Sequence, residues 1–336
     1  MIKSIHCAVF FLAFEDEKKE KDNEDRKRGD FLGVNLTDKE VINPKSATKV
    51  TTMGHITELI ISDKRSRGTP CRRLTKDDYV DLRTGEVKTY KHIAHRAESE
   101  QSMRHTLARI RALVNTNVSR PECVRWVTLT YAENMTDTKR LYVDFVAFWK
   151  RFKRYCKRNG FQNPEYISVQ EPQARGAWHV HAFFIWNERA PFVSNADLAK
   201  LWGQGFVSVK ALNNCDNVGA YFSAYLGDIP ITDVDVVTPE QERQIVEKEL
   251  TAPDGCTVKK KYIKGGRLHL YPPGMNIVRK SRGVKEPMVE RMTLEQAKKK
   301  ISGQTETFSR SFEITNDDSG EIVNHITKKY YNSKRK

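Results

Sequence analysis

The sequence predicts an α+β fold in which an antiparallel sheet carries helices on one of its faces. Three observations support this prediction. Segments that alternate between apolar and polar residues, the pattern of a half-buried strand, recur between residues 126 and 212. Segments with helical periodicity lie between them, the clearest at residues 138–158. The connection PQARG at residues 172–176 is short enough to close a hairpin between two neighbouring strands.

The elements follow one another in the order β-α-β-β-α-β-α. WVTLTY at residues 126–131 alternates with period two and predicts the first strand. The helix at 138–158 has an apolar stripe and is stopped by Asn159-Gly160. The remaining elements are strands at 166–171, 177–186 and 206–212 and short helices at 194–203 and 216–226. The first six elements match the split-βαβ arrangement, ferredoxin-like or RRM-like, which leaves one sheet face open.

Five segments are predicted along the chain. Residues 1–50 include a charged run without an apolar stripe and are expected to be disordered or poorly ordered. Residues 51–118 form an extension with one strand and one helix, and residues 119–228 hold the core just described. Residues 229–290 combine an acidic insertion with a further strand extension, and residues 291–336 are a basic tail.

The composition favours nucleic acid as a partner. Lys and Arg number 58 against 43 Asp and Glu, which gives a net charge of +15. Such a surplus attracts polyanions, nucleic acid first and an anionic membrane second. The longest apolar run, Cys7–Phe14, is far shorter than the roughly 20 residues of a membrane span, so no transmembrane helix is expected. The six cysteines form no CxxC pair, which favours reduced thiols and a cytoplasmic protein.

The stretch GAWHVHAFF at residues 176–184 holds the most informative side chains. His179 and His181 are two apart on a predicted strand, so both leave the same face, roughly 7 Å apart at their Cα atoms. They could hold one metal ion, or they could be satisfied polar residues on a half-buried strand. Glu171 ends the preceding strand, and a hairpin would bring it towards them. Two imidazoles and one carboxylate leave open coordination positions, as a catalytic site needs.

Strict alternation raises a conflict about the direction of the Glu171 side chain. It places Glu171 on the same strand face as Ile167 and Val169, which have the character of core residues. Either Pro172 and a bulge re-aim the carboxylate, or the face that carries the histidines is partly apolar.

Two tyrosines form a second candidate site. Tyr221 and Tyr225 are four apart on a predicted helix and share one face, where they could also be an aromatic stripe together with Val218. A phenol has a pKa of about 10 and is a poor nucleophile at neutral pH. A divalent metal that polarises a phosphodiester can offset this weakness, and attack then leaves a covalent phosphotyrosine.

The succession WVTLTY, GAWHVHAFF and VGAYFSAYL resembles the three motifs of the HUH (His-hydrophobic-His) endonucleases. More narrowly, it resembles the rolling-circle replication-associated proteins of bacterial plasmids and phages. Flanking segments are similar to parts of that family, so the resemblance covers residues 54–287. It implies that residues 119–228 are the nuclease core, with a metal and tyrosine active site on the open sheet face.

The resemblance also implies the roles of individual residues. His179 and His181 would bind Mg²⁺ or Mn²⁺, with Glu171 as the third ligand. A tyrosine would be the nucleophile, and we favour Tyr221 over Tyr225 because it lies nearer the start of its helix.

The last motif departs from the family pattern, which usually reads Tyr-x-x-Lys. Ala224 and Asp228 occupy the lysine positions, so another cation must neutralise the phosphate. The candidates are Lys210, Arg175 and Arg267. The basic faces at residues 150–158 and 257–267 are either phosphate contacts or solvated charged surface; on the first face the candidates are Lys150, Arg151 and Arg154.

The resemblance therefore predicts a rolling-circle replication initiator that nicks and rejoins single-stranded DNA at a replication origin. The chain contains no GxxxxGK[ST] motif, so a separate helicase, from the host or the element, would unwind the duplex. A relaxase or transposase with the same chemistry is an alternative. A basic DNA-binding protein without catalysis is another, and the missing motif lysines motivate it.

Overall fold

The computed structural model describes the chain in two compact units. The described residues are 32–64, 71–82, 84–90, 100–118, 120–173, 175–212, 218–219, 229–230, 245–251, 257–263, 270–272, 274–316 and 319–335. The central unit spans residues 94–287, together with 1–7, and the terminal unit spans residues 8–93 and 288–336. The terminal unit is thus assembled from two separate stretches of sequence.

The described residues form four α-helices and seventeen strands. The helices are α1 (Glu100–Asn117), α2 (Thr138–Arg158), α3 (Asn195–Trp202) and α4 (Leu294–Lys300). The strands are β1 (Leu32–Thr37), β2 (Ala47–Met53), β3 (Ile56–Ser62), β4 (Cys71–Arg73), β5 (Asp78–Asp81), β6 (Val87–Thr89), β7 (Val124–Thr130), β8 (Glu165–Pro172), β9 (Trp178–Ile185), β10 (Val207–Ala211), β11 (Ile229–Pro230), β12 (Ile245–Thr251), β13 (Thr257–Ile263), β14 (Val278–Lys280), β15 (Met288–Thr293), β16 (Thr305–Asn316) and β17 (Ile322–Asn332).

The central unit is built around a five-stranded sheet in the order β10-β7-β9-β8-β14. Every pair in this sheet is antiparallel. The prediction of an α+β protein with an antiparallel sheet is confirmed, and β14 adds an edge strand beside β8. Strands β11, β12 and β13 form a separate three-stranded sheet within the same unit.

Helices α2 and α3 form where the sequence supplies both an apolar stripe and end signals. The carboxylate of Asp137 accepts hydrogen bonds from the first backbone N–H groups of α2. Ser194 caps α3, and Gly203 ends it in the left-handed conformation at φ 67°. The stripe of α2 packs on the sheet, since the rings of Phe148 and Phe152 lie 6.1 and 4.9 Å from that of Phe184 on β9.

The terminal unit holds a six-stranded antiparallel sheet in the order β1-β16-β17-β3-β2-β15. Residues 32–50 contribute β1 and most of β2, so the expected disorder is wrong for them; residues 1–31 lie outside the described part. Residues 291–336, expected to be a tail, supply the last residues of β15, α4, β16 and β17. The sequence hides β17 because polar groups occupy its buried positions. Thr327, fully buried, bonds to Ser311 at 2.8 Å and accepts from the Val41 N–H at 2.8 Å.

Among the helices within the described ranges, none has the length and apolar character needed to cross a membrane.

Candidate functional site

Strands β8 and β9 place the predicted metal ligands on one sheet face. Their register is continuous and pairs Glu171 with His179 and Val169 with His181. Directly paired residues project from the same face, so all four side chains lie together. Glu171 is therefore not re-aimed by a bulge. The face that carries the histidines is partly apolar, since Ile167 and Val169 are completely buried on it.

The three side chains are close enough to share one ion. One ligand atom from each of Glu171, His179 and His181 lies within 4.8 Å of the other two. Nε2 of His181 is 2.5 Å from Oε2 of Glu171. Nε2 of His179 is buried and has no hydrogen-bond partner in the described part of the chain. Because buried ring nitrogens normally have a partner, this orphaned atom and the two-imidazole, one-carboxylate donor set fit a divalent cation.

Thr128 on β7 is a site residue that the sequence reasoning missed. It pairs with His181 across β7 and β9, and its Oγ1 lies 3.1 Å from Nδ1 of His181. A hydrogen bond at one imidazole nitrogen fixes the ring and leaves the other nitrogen directed at a ligand. The alternation of WVTLTY already places Thr128 and Trp126 on one face. What the sequence does not contain is the pairing of this strand with β9.

Burial keeps both histidines neutral at physiological pH. It lowers the pKa of His179 to about 4, and the nearby charges of His181 and Arg175 lower it further. Burial also lowers the pKa of His181 to about 4, with an additional effect of Lys210. Since a metal ion binds the neutral imidazole, both rings are in the binding form at pH 7.

Two of the three cations proposed to replace the motif lysines lie near the histidines. Lys210 is exposed on β10 and pairs with Trp126, which places it on the histidine face. Arg175 is exposed in the turn between β8 and β9, where its Nε donates to Gln173 at 2.9 Å. The third cation, Arg267, lies outside the described residues, as do both candidate nucleophiles, Tyr221 and Tyr225.

The predicted DNA-contacting residues of α2 divide into two kinds. Arg151 donates from Nε to the carbonyl of Leu201 at 2.7 Å and from a terminal nitrogen to that of Trp202 at 3.1 Å. These carbonyls end α3 and lack partners within that helix, so Arg151 ties the two helices together. Lys150 and Arg154, in contrast, are exposed.

The matched family decides the broad class of this site. Residues 124–229 match the family model for replication-associated protein ORF2. This segment is similar to replication-associated proteins, as the sequence resemblance predicts, and it includes Thr128, Glu171, His179 and His181. No curated protein and no solved structure gave a significant match to the chain.

Proposed function

We propose that the chain is a rolling-circle replication initiator, a metal-dependent nickase and ligase for single-stranded DNA at a replication origin. The observation that carries this proposal is the cluster of Glu171, His179 and His181 on one sheet face, inside the segment similar to replication-associated proteins. The strand order β10-β7-β9-β8, with α2 after β7 and α3 after β9, supports the ferredoxin-like split-βαβ arrangement and an active site on the face away from these helices.

Glu171, His179 and His181 would hold Mg²⁺ or Mn²⁺ and leave positions open for a phosphodiester oxygen. When bound, the ion supplies positive charge that polarises the scissile phosphodiester. Thr128 orients the His181 ring, and the buried apolar neighbours on the histidine face exclude water around the ligands. Lys210 and Arg175 take the role of the missing motif lysines on the phosphate. The influence of their charges on the pKa of His181 and His179 supports this assignment.

Tyr221 is the proposed nucleophile, and Tyr225 serves a second strand transfer or a supporting role. The phenol oxygen attacks the phosphorus and loses its proton. The bond from phosphorus to the 3′ oxygen breaks, and that oxygen leaves as a hydroxyl after taking up a proton. The product is a 5′-phosphotyrosine, which conserves the phosphodiester so that the reverse reaction can rejoin the strand.

Two alternatives differ from this proposal in separate ways. A relaxase or transposase would use the same residues and the same covalent step for another biological purpose. A basic DNA-binding protein without catalysis would need none of them, and the residues Ala224 and Asp228 at the motif lysine positions favour it.

Covalent capture of single-stranded DNA tests the proposal without knowledge of the origin. The full chain is incubated with a 3′-labelled library of random-sequence single strands and Mn²⁺, then denatured in detergent. We expect the label on the protein, because a 5′-phosphotyrosine retains the 3′ fragment, and sequencing of the captured strands gives the recognised site. EDTA, the pair His179→Ala and His181→Ala, and the pair Tyr221→Phe and Tyr225→Phe should each abolish capture. An unlabelled wild-type protein would support binding without catalysis.

A further inference from the structure

The outward face of α2 carries a cluster of four cations. Lys150, Lys153, Arg154 and Lys157, here called the α2 basic stripe, line a shallow cleft of about 300 Å³ together with Asn163. The spacing of three, four and seven residues from Lys150 puts all four on one side of the helix. All four side chains are exposed, opposite the stripe of α2 that packs into the core.

The α2 basic stripe has no counter-charge in the described structure. None of its four members forms an ion pair there, and residues 145–164 contain no Asp or Glu. Cations three and four apart on a helix repel one another, so this face costs helix stability. The helix dipole offsets the cost only in the last turn, at Lys157 and Arg158. Lys150, Lys153 and Arg154 lie before that turn, and an anionic partner would account for them.

The α2 basic stripe lies on the opposite side of the sheet from the histidines. Phe184 of β9 packs against Phe148 and Phe152 on the inner face of α2. His181, three residues before Phe184 on the same strand, projects from the other face, where it pairs with Thr128 and Val169. A single strand bound at His181 is therefore separated from the stripe by the sheet and the helix.

The chemistry of the stripe indicates which form of DNA it takes. The aromatic residues of α2 at positions 145, 148, 149 and 152 pack inward, and none of the described residues that line the cleft is aromatic. Proteins that hold single strands stack bases on aromatic rings, whereas Lys and Arg alone contact phosphates without reading bases. Seven residues of helix rise about 10 Å, which spans about three phosphates of one duplex strand.

We propose that the α2 basic stripe binds the phosphate backbone of double-stranded DNA, separately from the single strand at the histidines. This inference deepens the proposed function, on which it rests for the choice of DNA as the polyanion. The enzyme would then contact duplex beside the origin with α2 while the opposite sheet face handles the single strand.

The test compares two variants that lose the same number of charges. In one, Lys150, Lys153, Arg154 and Lys157 are all changed to Gln; in the control, the exposed Lys39, Lys45, Lys64 and Lys76 are changed to Gln. Binding of random-sequence duplex is measured against salt concentration. We expect the stripe variant to lose at least about tenfold in affinity, and its salt slope to fall by about 0.9 for each phosphate contact removed. The control should stay within about twofold of wild type, as expected of charges remote from the DNA.

Further measurements separate this inference from the proposed function. The stripe variant should still capture the single-stranded library covalently, and the His179→Ala, His181→Ala protein should still bind duplex. A variant with Lys150, Lys153 and Lys157 changed to Arg keeps the charge and should keep duplex binding, which controls for folding. Equal losses in the stripe and control variants would overturn the inference. So would a stripe variant that binds duplex normally but no longer binds vesicles containing phosphatidylglycerol.

Discussion

The hydroxyl oxygen of Thr128 lies 3.1 Å from Nδ1 of His181 on the neighbouring strand. The opposite ring nitrogen, Nε2, lies 2.5 Å from the Glu171 carboxylate. The ring is thus held at both ends, by a hydroxyl from the first motif and by a carboxylate from β8. This arrangement links the strand WVTLTY to the candidate metal ligands.

The first prediction concerns this hydroxyl. Replacing Thr128 by Val keeps the shape of the side chain but removes its hydrogen bond to the His181 ring. We expect Mn²⁺ affinity to fall about 10- to 100-fold, the usual effect of losing such a supporting group. Titration of the DNA-free protein with Mn²⁺ measures this, and Thr128→Ser should remain close to wild type. Unchanged affinity in the Val variant would show that the bond does not position the ring.

The second prediction follows from the low pKa of both histidines. The pKa of His179 and His181 is about 4 in the folded chain, against 6.5 for an ordinary histidine. Between these values the unfolded chain binds more protons than the folded chain, so the free energy of unfolding falls as the pH is lowered from about 6.5 to 4.

Urea denaturation in EDTA at several pH values measures this dependence. A variant with both histidines replaced by Gln should lose part of the slope in that window, because Gln does not titrate. An identical slope in wild type and variant would mean that other groups cause the acid sensitivity.

The third prediction concerns the metal itself. An ion that binds only the folded chain raises the free energy of unfolding, by about 2.7 kcal/mol at a concentration 100 times its Kd. We expect Mn²⁺ to raise the melting temperature of the wild type but not that of the His179→Ala, His181→Ala protein. A second comparison, with Glu171→Gln, should show a reduced shift. The same thermal shift in all three proteins would place the ion elsewhere.

The fourth prediction separates two arginines of α2. Arg151→Gln removes two hydrogen bonds to carbonyls that end α3, and we expect it to cost about 1–3 kcal/mol of stability. Arg154→Gln, three residues further along the same helix, changes an exposed side chain and should stay within about 0.5 kcal/mol. Urea denaturation of both variants measures the difference. Equal effects would contradict the structural role of Arg151.

Local sequence patterns predict the elements whose signals lie within a few residues of one another. The helix predicted at residues 138–158 has those same bounds in the structure, and Ser194 and Gly203 cap α3 as expected. The shared face of His179 and His181 follows from strand period alone. These features need only neighbouring residues, so one sequence contains them.

Features that depend on strand pairing are beyond such patterns. The direction of Glu171 is settled by its register against His179, and the role of Thr128 by the neighbour that β7 takes in the sheet. Strand β17 shows no clean alternation because Thr327 is buried through hydrogen bonds rather than apolar contacts. Arg151 has the sequence character of a surface cation, yet its partners are backbone carbonyls about fifty residues away along the chain.

The division of the terminal unit between two stretches of chain sets the order in which the protein matures on the ribosome. The hairpin of β2 and β3 receives both of its outer neighbours, β15 and β17, from the other end of the sequence. An isolated hairpin is at best marginally stable, so it must wait until translation is nearly complete. The central unit emerges whole before then and can fold first. A premature stop codon before Ile322 would therefore leave the candidate metal ligands in place but remove the strand that joins β16 to β3.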